Sequence, residues 1–156
     1  MKVIMDTDCL IKLTKSKLKE LVCSNLSVII PQAVKKEVID NAGRHPDSIV
    51  VEENIANKLL TVDKMKAPAE KGEDAVFAIF QKGKYDAICS DDKRFIKRLR
   101  MIDIPYITPA VFIAILLKNN KMTLKEANEK LELLSPFVSE DEYYAVKLVL
   151  DNWRKE

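Results

Sequence analysis

Acidic side chains follow two strand-like segments of this sequence, each at the point where an apolar run stops. Asp6 and Asp8 follow the first run, and Asp91 and Asp92 follow another. Carboxylates held close together repel one another unless a cation or a shared proton neutralises them. A hard divalent cation with oxygen ligands, Mg²⁺ or Mn²⁺, is the natural partner of such a set.

Further acids occupy helical positions. Glu37 falls on the inward face of its predicted helix, Glu73 shares a stripe with apolar residues, and Asp92 heads an apolar stripe. Asp74, next to Glu73, lies on a more polar face of the same predicted helix. A carboxylate on an inward face needs a hydrogen-bond donor or a metal. Acids in a first helical turn also complement the helix dipole, and an Asp after a strand can serve as a helix N-cap. For each acid taken alone, a purely structural role therefore stays open.

Other chemistries lack the residues they need. The chain has three glycines, too few and too scattered for a dinucleotide-binding or phosphate-binding glycine loop. The only histidine is His45, in a turn-like segment, so a zinc site with several histidines is excluded.

Strand-like and helix-like segments alternate, which predicts an α/β fold. The predicted strands cover residues 3–5, 27–30, 48–51, 86–90 and 104–107, the last as an edge strand. The predicted helices cover residues 10–22, 32–40, about 55–60, 72–81, 91–100, 110–117, 124–134 and 140–153, with a loop at 41–47 and a linker at 64–71. Capping boxes at residues 123–126 and 139–142 begin the last two helices.

This order predicts a single-domain three-layer sandwich, with a mainly parallel sheet of 4–5 strands and helices on both faces. Residues 1–118 would form the core, and residues 119–156 would form a C-terminal helical extension packed on the same domain. In parallel sheets of this type, the ligand site lies beyond the carboxyl ends of the strands, near a switch in strand order. The acids are therefore expected to converge there.

The bulk composition describes one globular domain of 156 residues, 47% hydrophobic. Lysine and arginine number 26 against 24 acids, so net charge predicts no nucleic-acid binding. Three cysteines without a C-x-x-C pair favour free thiols and a cytoplasmic protein. The longest apolar run, Ala110–Leu117, is far shorter than the roughly 18 residues of a membrane helix, and it predicts a buried helix or a homodimer interface.

Four segments, taken in order, resemble the motifs of PIN-domain proteins. Val3–Ile11 resembles the opening strand with its Asp, and Ile30–Val38 resembles the motif in which a proline precedes a glutamate-bearing helix. Lys71–Ala75 resembles the Gly-Glu helix start, and Cys89–Phe95 resembles the motif of a small residue followed by acids. The resemblance covers roughly residues 1–118.

The resemblance implies a metal-dependent ribonuclease, in many members the toxin of a toxin–antitoxin pair, so an antitoxin is an implied partner. It implies four metal-binding catalytic acids: Asp6, Glu37, Glu73 and Asp92. Asp74 could replace Glu73, and Asp91 could replace Asp92, so both choices stay open. Asp8 would be an extra ligand or a supporting group, because a Ser or Asn is common there.

Hydrolysis by bound ions and an activated water needs no covalent nucleophile. Thr7 or Ser90 could hold a water or a phosphate oxygen. Cations around the acidic site could bind an RNA backbone, although a solvated helix face is the more common reason for such residues. The candidate RNA-binding residues are Lys12, Lys93, Arg94, Lys97 and Arg98.

Two alternatives remain. Asp6-Thr7-Asp8 also imitates the D-x-D motif of haloacid-dehalogenase-type phosphatases, with Asp6 as covalent nucleophile. That reading lacks the Gly-Thr that usually follows, and it leaves Glu37 and Glu73 unexplained. The other alternative is a PIN-like module that binds RNA or protein without cutting.

Overall fold

Five parallel strands form one sheet in the computed structural model, which describes residues 1–40, 45–64 and 72–154. The strands are β1 (Lys2–Met5), β2 (Ser27–Ile30), β3 (Thr61–Val62), β4 (Ala87–Cys89) and β5 (Tyr106–Ile107). Their order across the sheet is β3-β2-β1-β4-β5, and every neighbouring pair is parallel. The predicted α/β fold with a parallel sheet is confirmed.

Helices connect and follow the strands. They are α1 (Thr7–Lys15), α2 (Lys19–Asn25), α3 (Gln32–Lys35), which continues as a π-helical turn (Lys36–Asp40), α4 (Pro46–Ala56), α5 (Gly72–Lys82), α6 (Lys93–Met101), α7 (Val111–Lys118), α8 (Leu124–Leu134), a 3₁₀ turn (Ser135–Phe137) and α9 (Glu140–Asp151).

After their exposed first residues, Lys2 and Ser27, the central strands β1 and β2 are apolar and buried, with no polar alternation. Val3, Ile4 and Met5 of β1 are fully buried, as is Ile88 of β4. A parallel sheet is covered by helices on both faces, so its strands read as continuous apolar runs. Such side chains contribute roughly 1.5–3 kcal/mol each on burial, which fixes the strands and the residues at their ends.

The predicted helix over residues 10–22 is wrong in one respect, because the chain forms two helices there. Lys17 adopts a left-handed conformation with φ 56°, which no α-helix accommodates. α1 ends at Lys15, and its cap at Ser16 donates backbone hydrogen bonds to Lys12 and Thr14 carbonyls.

The predicted strand at residues 48–51 is also wrong, since this segment lies in α4. His45 caps the helix by accepting from the Asp47 amide, and Pro46 occupies its first turn, where its missing N–H costs nothing. Ser48 is buried and donates to the Val38 carbonyl over 2.7 Å. Thr61–Val62 forms the strand instead. The predicted helix near 55–60 is wrong beyond Ala56, where α4 ends, because residues 57–60 form a turn in which Lys58 has φ 59°.

The C-terminal helices cover the apolar helix α7. Phe112, Ile113 and Leu116 of α7 are fully buried within the monomer, and α8 and α9 both pack against α7. Thr123 and Glu126 form the predicted capping box at the start of α8. Within residues 1–40, 45–64 and 72–154, no helix has both the length and the apolar character needed to cross a bilayer.

The expectation of three free thiols is wrong for two of them. A disulfide joins Cys9 of α1 to Cys89 of β4, with their Cα atoms 6.6 Å apart. Cys23 is free and buried. The predicted linker at residues 64–71 lies outside the described residues except for Lys64, and so does most of the predicted loop at 41–47.

Candidate metal centre

The acids lie where the strand order reverses. From β1 the chain passes to β2 on one side, and it later returns to β4 on the other side. This switch opens a crevice at the carboxyl ends of β1 and β4, where Asp6 and Ser90 follow the two strands. The Asp6 amide donates to the Cys89 carbonyl over 3.1 Å, so the two strand ends are hydrogen-bonded to each other.

A cavity of about 340 Å³ occupies this crevice, and its lining is strongly acidic. It is lined by Asp6, Thr7, Asp8, Glu37, Gly72, Glu73 and Asp74. The structure therefore brings together five of the seven acids that the sequence singled out.

Asp6 is the most buried of these acids, at 6% exposure. One of its oxygens accepts from the Cys9 amide over 2.9 Å, which makes it the N-cap of α1. The pKa of Asp6 is raised to about 7, chiefly by burial; the charges of Asp91 and Asp8 add to the rise, and hydrogen bonds from Ser90 and Cys9 oppose it. A carboxylate of this kind is stabilised in its charged form by a bound cation.

Glu37 reaches the cavity from the π-helical turn. The Thr7 hydroxyl donates to Oε2 of Glu37, joining residues 30 positions apart. Gly72 leaves room for this carboxylate, because a Cβ at Gly72 would lie 3.3 and 3.4 Å from the two Glu37 oxygens. π-Helical turns are frequent at functional sites, since they redirect side chains without ending a helix.

Glu73 and Asp74 occupy the first turn of α5. Both are exposed, so the expectation that Glu73 faces inward is wrong: it lines the open mouth of the cavity. Partial burial raises the pKa of Glu73, and the charges of Asp92 and Asp74 add to the rise. Asp74 already has a cationic partner, because Arg98 lies 3.2 Å from its carboxylate.

Asp91 and Asp92 do not line the cavity. Asp92 is the N-cap of α6 and accepts from the Phe95 amide over 2.7 Å. Asp91 forms an ion pair with Lys12 of α1. Both acids still act on the site through their charge, Asp91 on Asp6 and Asp92 on Glu73.

The predicted RNA-binding cations fall into two groups. Lys12 and Arg98 are engaged with Asp91 and Asp74, so neither is a free phosphate contact. Lys93, Arg94 and Lys97 are exposed on α6, and none of the three forms an ion pair in the part of the chain that the structure describes.

The donor set suits a hard cation, because every ligand candidate in the cavity offers oxygen. Among the described residues, however, no three acids are already close enough to form a preassembled metal group. A cation bound in this cavity would therefore need its carboxylates to move closer together.

Sequence reasoning missed Glu142, which connects the C-terminal helices to this region. Its Oε1 accepts from the Ala110 amide at the start of α7 over 2.7 Å. Burial raises the pKa of Glu142, hydrogen bonds from Ala110 and Thr108 oppose that rise, and the charges of Asp91 and Lys12 also act on it. Ser139 and Glu142 have the spacing of a capping box, but the side chain of Glu142 bonds 32 residues away, which no local pattern shows.

Comparison with known proteins assigns the family. The DUF3368 family model, described as a PIN domain, matches residues 2–149. The chain therefore belongs to the PIN-domain family, and the predicted resemblance is confirmed. PIN domains are typically nucleases acting on RNA or DNA, generally with divalent metals, so membership supports a nuclease at the family level. Neither the curated proteins nor the solved structures gave a match.

Proposed function

We propose that this protein is a metal-dependent ribonuclease that hydrolyses RNA phosphodiester bonds with Mg²⁺ or Mn²⁺. The observation that carries the proposal is the cavity at the strand switch, which gathers Asp6, Glu37 and Glu73 around one space. The burial of Asp6 supports it, because a carboxylate whose pKa is raised to about 7 gains most from a neighbouring cation.

Asp6, Glu37 and Glu73 would hold the cation, with Asp8 and Asp74 as the additional oxygen donors of the cavity. Asp92 would act on the site from its N-cap position, and Asp91 from its ion pair with Lys12. A divalent ion held by these residues would supply an activated water and neutralise charge on the phosphate.

The chain's own residues prepare that chemistry. Thr7 orients the Glu37 carboxylate through its hydroxyl, and Ser90 hydrogen-bonds to Asp6. Both interactions fix carboxylate oxygens at the crevice, where they would be available as donors to a hard cation. No side chain is required as a covalent nucleophile.

The second candidate is a PIN-like module that binds RNA or protein without cutting it. The ligand spacing favours this candidate, since no preassembled three-acid group exists among the described residues. The phosphatase alternative has no support once the family is known. An antitoxin partner, a homodimer and a cytoplasmic location remain proposals that come from the resemblance and the composition.

The decisive experiment is cleavage of an end-labelled single-stranded RNA with Mn²⁺, with Mg²⁺ and with a chelator. We expect cleavage only with metal, and a loss of at least 100-fold in Asp6→Asn and Glu37→Gln. Asp103→Asn is the matched control, because this exposed turn residue with φ 54° tolerates Asn. An inert wild type with Mn²⁺ present, folded by circular dichroism, would favour the binding module.

A further inference from the structure

A second concave surface lies beside the metal centre. This groove, of about 680 Å³, runs between α6 and the first half of α9, with Tyr106 of β5 and Val111 of α7 also lining it. Asp91 lines it as well, and Asp91 directly follows Ser90, which is hydrogen-bonded to Asp6. The groove is therefore connected to the acidic cavity through Asp91, whose charge acts on Asp6.

One wall of the groove is cationic. Lys93, Lys97 and Arg100 lie on one face of α6 at i, i+4 and i+7, and all three are exposed. Residues four apart on a helix are about 5–6 Å from each other, so their charges form a continuous row. The other basic face of α6 differs, because its Arg98 is paired with Asp74. Lys93 and Lys97 have no such acid partner within residues 1–40, 45–64 and 72–154.

Tyr106 adds an aromatic surface next to this row. The Arg100 guanidinium lies 5.3 Å from the centroid of the Tyr106 ring, and its Nε donates to the Tyr106 hydroxyl over 2.8 Å. The ring is thereby held in place while remaining partly exposed. Unpaired bases stack on aromatic rings and on arginine planes of this kind, with little dependence on sequence.

The opposite wall of the groove, formed by α9, is acidic, so the two walls carry opposite charges. Asp141 of α9 is exposed there, whereas Glu142 is engaged with the Ala110 amide. A phosphate is repelled by Asp141 and attracted by Lys93 and Lys97. Base amino groups and ribose hydroxyls, in contrast, donate to carboxylates. A single strand therefore fits with its backbone on α6 and its bases and riboses toward α9.

We propose that this groove binds the single-stranded RNA segment that flanks the cleaved phosphate on one side. The assignment rests on the proposed ribonuclease function, and it identifies Lys93, Lys97 and Tyr106 as substrate-binding residues. The basic row would bind the phosphates of the RNA backbone, and Tyr106 would stack on a base. Asp91 connects the groove to the candidate metal centre.

The test is fluorescence anisotropy of a labelled single-stranded RNA on the full chain in the non-cleaving Asp6→Asn background, at several salt concentrations. We expect Lys93→Ala/Lys97→Ala to weaken binding at least tenfold and to reduce the salt slope by about 1.4, since each phosphate contact on a single strand contributes about 0.7. Tyr106→Ala should weaken binding roughly tenfold with an unchanged slope. The charge-matched control is Lys118→Ala/Lys121→Ala, exposed at the far end of α7.

Each outcome decides separately for the groove and for the nuclease. If the wild type cleaves RNA and the groove variants bind like the control, the groove assignment is wrong while the nuclease stands. If binding depends on the groove but the wild type never cleaves with Mn²⁺, the groove is supported and the nuclease is refuted. A slope loss only in Arg94→Ala would place the strand on the other face of α6, against the proposal. A wild type that binds no RNA would also overturn it and leave a protein as the occupant.

Discussion

Lys12 of α1 is bound to Asp91, which follows β4, although the two residues are 79 positions apart. The pair is partly buried, with 27% of the Lys12 side chain and 12% of the Asp91 side chain exposed. Lys12 therefore neutralises an acid beside the candidate metal centre, and its ammonium group is already engaged rather than free to contact a phosphate.

Lys12→Met should show whether Lys12 neutralises Asp91 or contacts a phosphate of the RNA. Removing the cation frees the Asp91 charge next to Asp6, so we expect Mn²⁺ to bind several-fold more tightly and the metal-free protein to lose about 1–2 kcal/mol of stability. The salt slope of RNA binding should stay unchanged. Isothermal titration calorimetry, urea unfolding and anisotropy measure the three effects, with Lys118→Met as the control. A slope lowered by about 0.7 would show that Lys12 contacts a phosphate after all.

Asp6 should make the metal-free protein less stable as pH rises. Its pKa is about 7 in the folded chain against an ordinary 3.8, so the folded state favours the protonated form. The contribution of Asp6 to the free energy of unfolding is therefore greatest below pH 3.8. It decreases between pH 3.8 and pH 7, by as much as about 4 kcal/mol in total. Asp6→Asn removes this dependence and keeps an oxygen for the Cys9 amide.

We therefore expect Asp6→Asn to be more stable than the wild type at pH 8 without metal, and the difference to shrink at pH 5. Mn²⁺ should raise the stability of the wild type and leave the variant unchanged. Urea unfolding at both pH values provides the measurement, with Asp103→Asn as the control. A wild type whose stability advantage over Asp6→Asn grows with pH would contradict the raised pKa.

Gly72→Ala should impair the site without impairing the fold. The new Cβ would come within 3.3 Å of a Glu37 oxygen, so the carboxylate must shift by a few tenths of an ångström. We expect roughly tenfold weaker Mn²⁺ binding. Unfolding stability should change by less than about 1 kcal/mol, because Ala favours the helix more than Gly does. Gly83→Ala is an instructive comparison, since its Cβ would meet the Tyr85 ring at 2.2 Å, far from Glu37, and should cost stability instead.

Thr7 should act through its hydroxyl. Thr7→Val keeps the shape and deletes the donor to Glu37, leaving a partly buried carboxylate unpaired. We expect the rate of metal-dependent cleavage to fall about tenfold or more and the metal dependence to shift to higher Mn²⁺ concentration. Thr7→Ser should restore most of both. Equal losses in the Val and Ser variants would show that the methyl group, and not the hydroxyl, is what matters.

The C-terminal helices should unfold together with the sheet, as the single-domain prediction requires. Leu131 of α8 is fully buried, whereas Leu148 of α9 is 65% exposed. Leu131→Ala should therefore cost about 2–5 kcal/mol, and Leu148→Ala close to nothing. Hydrogen exchange of β1 amides should accelerate in step with the loss in Leu131→Ala. Two separate unfolding transitions would mean that residues 119–156 form an independent unit.

Local patterns predicted the parts of the fold that depend on local chemistry. The apolar runs at residues 3–5 and 27–30 fold as strands, because side chains buried on both faces of a parallel sheet must be apolar. Thr123 and Glu126 cap α8 as predicted, since a capping box needs only residues three apart. Residues 48–51 show the limit. The β-branched side chains at positions 49–51 favour a strand, yet these residues lie in a helix that His45 caps and that Ser48 ties to the Val38 carbonyl.

The sequence by itself determined that acids follow two parallel strands and begin two helices, and hence that they meet at one edge of the sheet. Only the tertiary structure decided what each acid does there. Asp92 caps a helix, Asp91 holds Lys12, and Glu37 meets Thr7 and Gly72. The physical reason is that strand ends and helix starts follow from neighbours in sequence, whereas burial and pairing depend on residues 30 to 80 positions away, brought close only by packing.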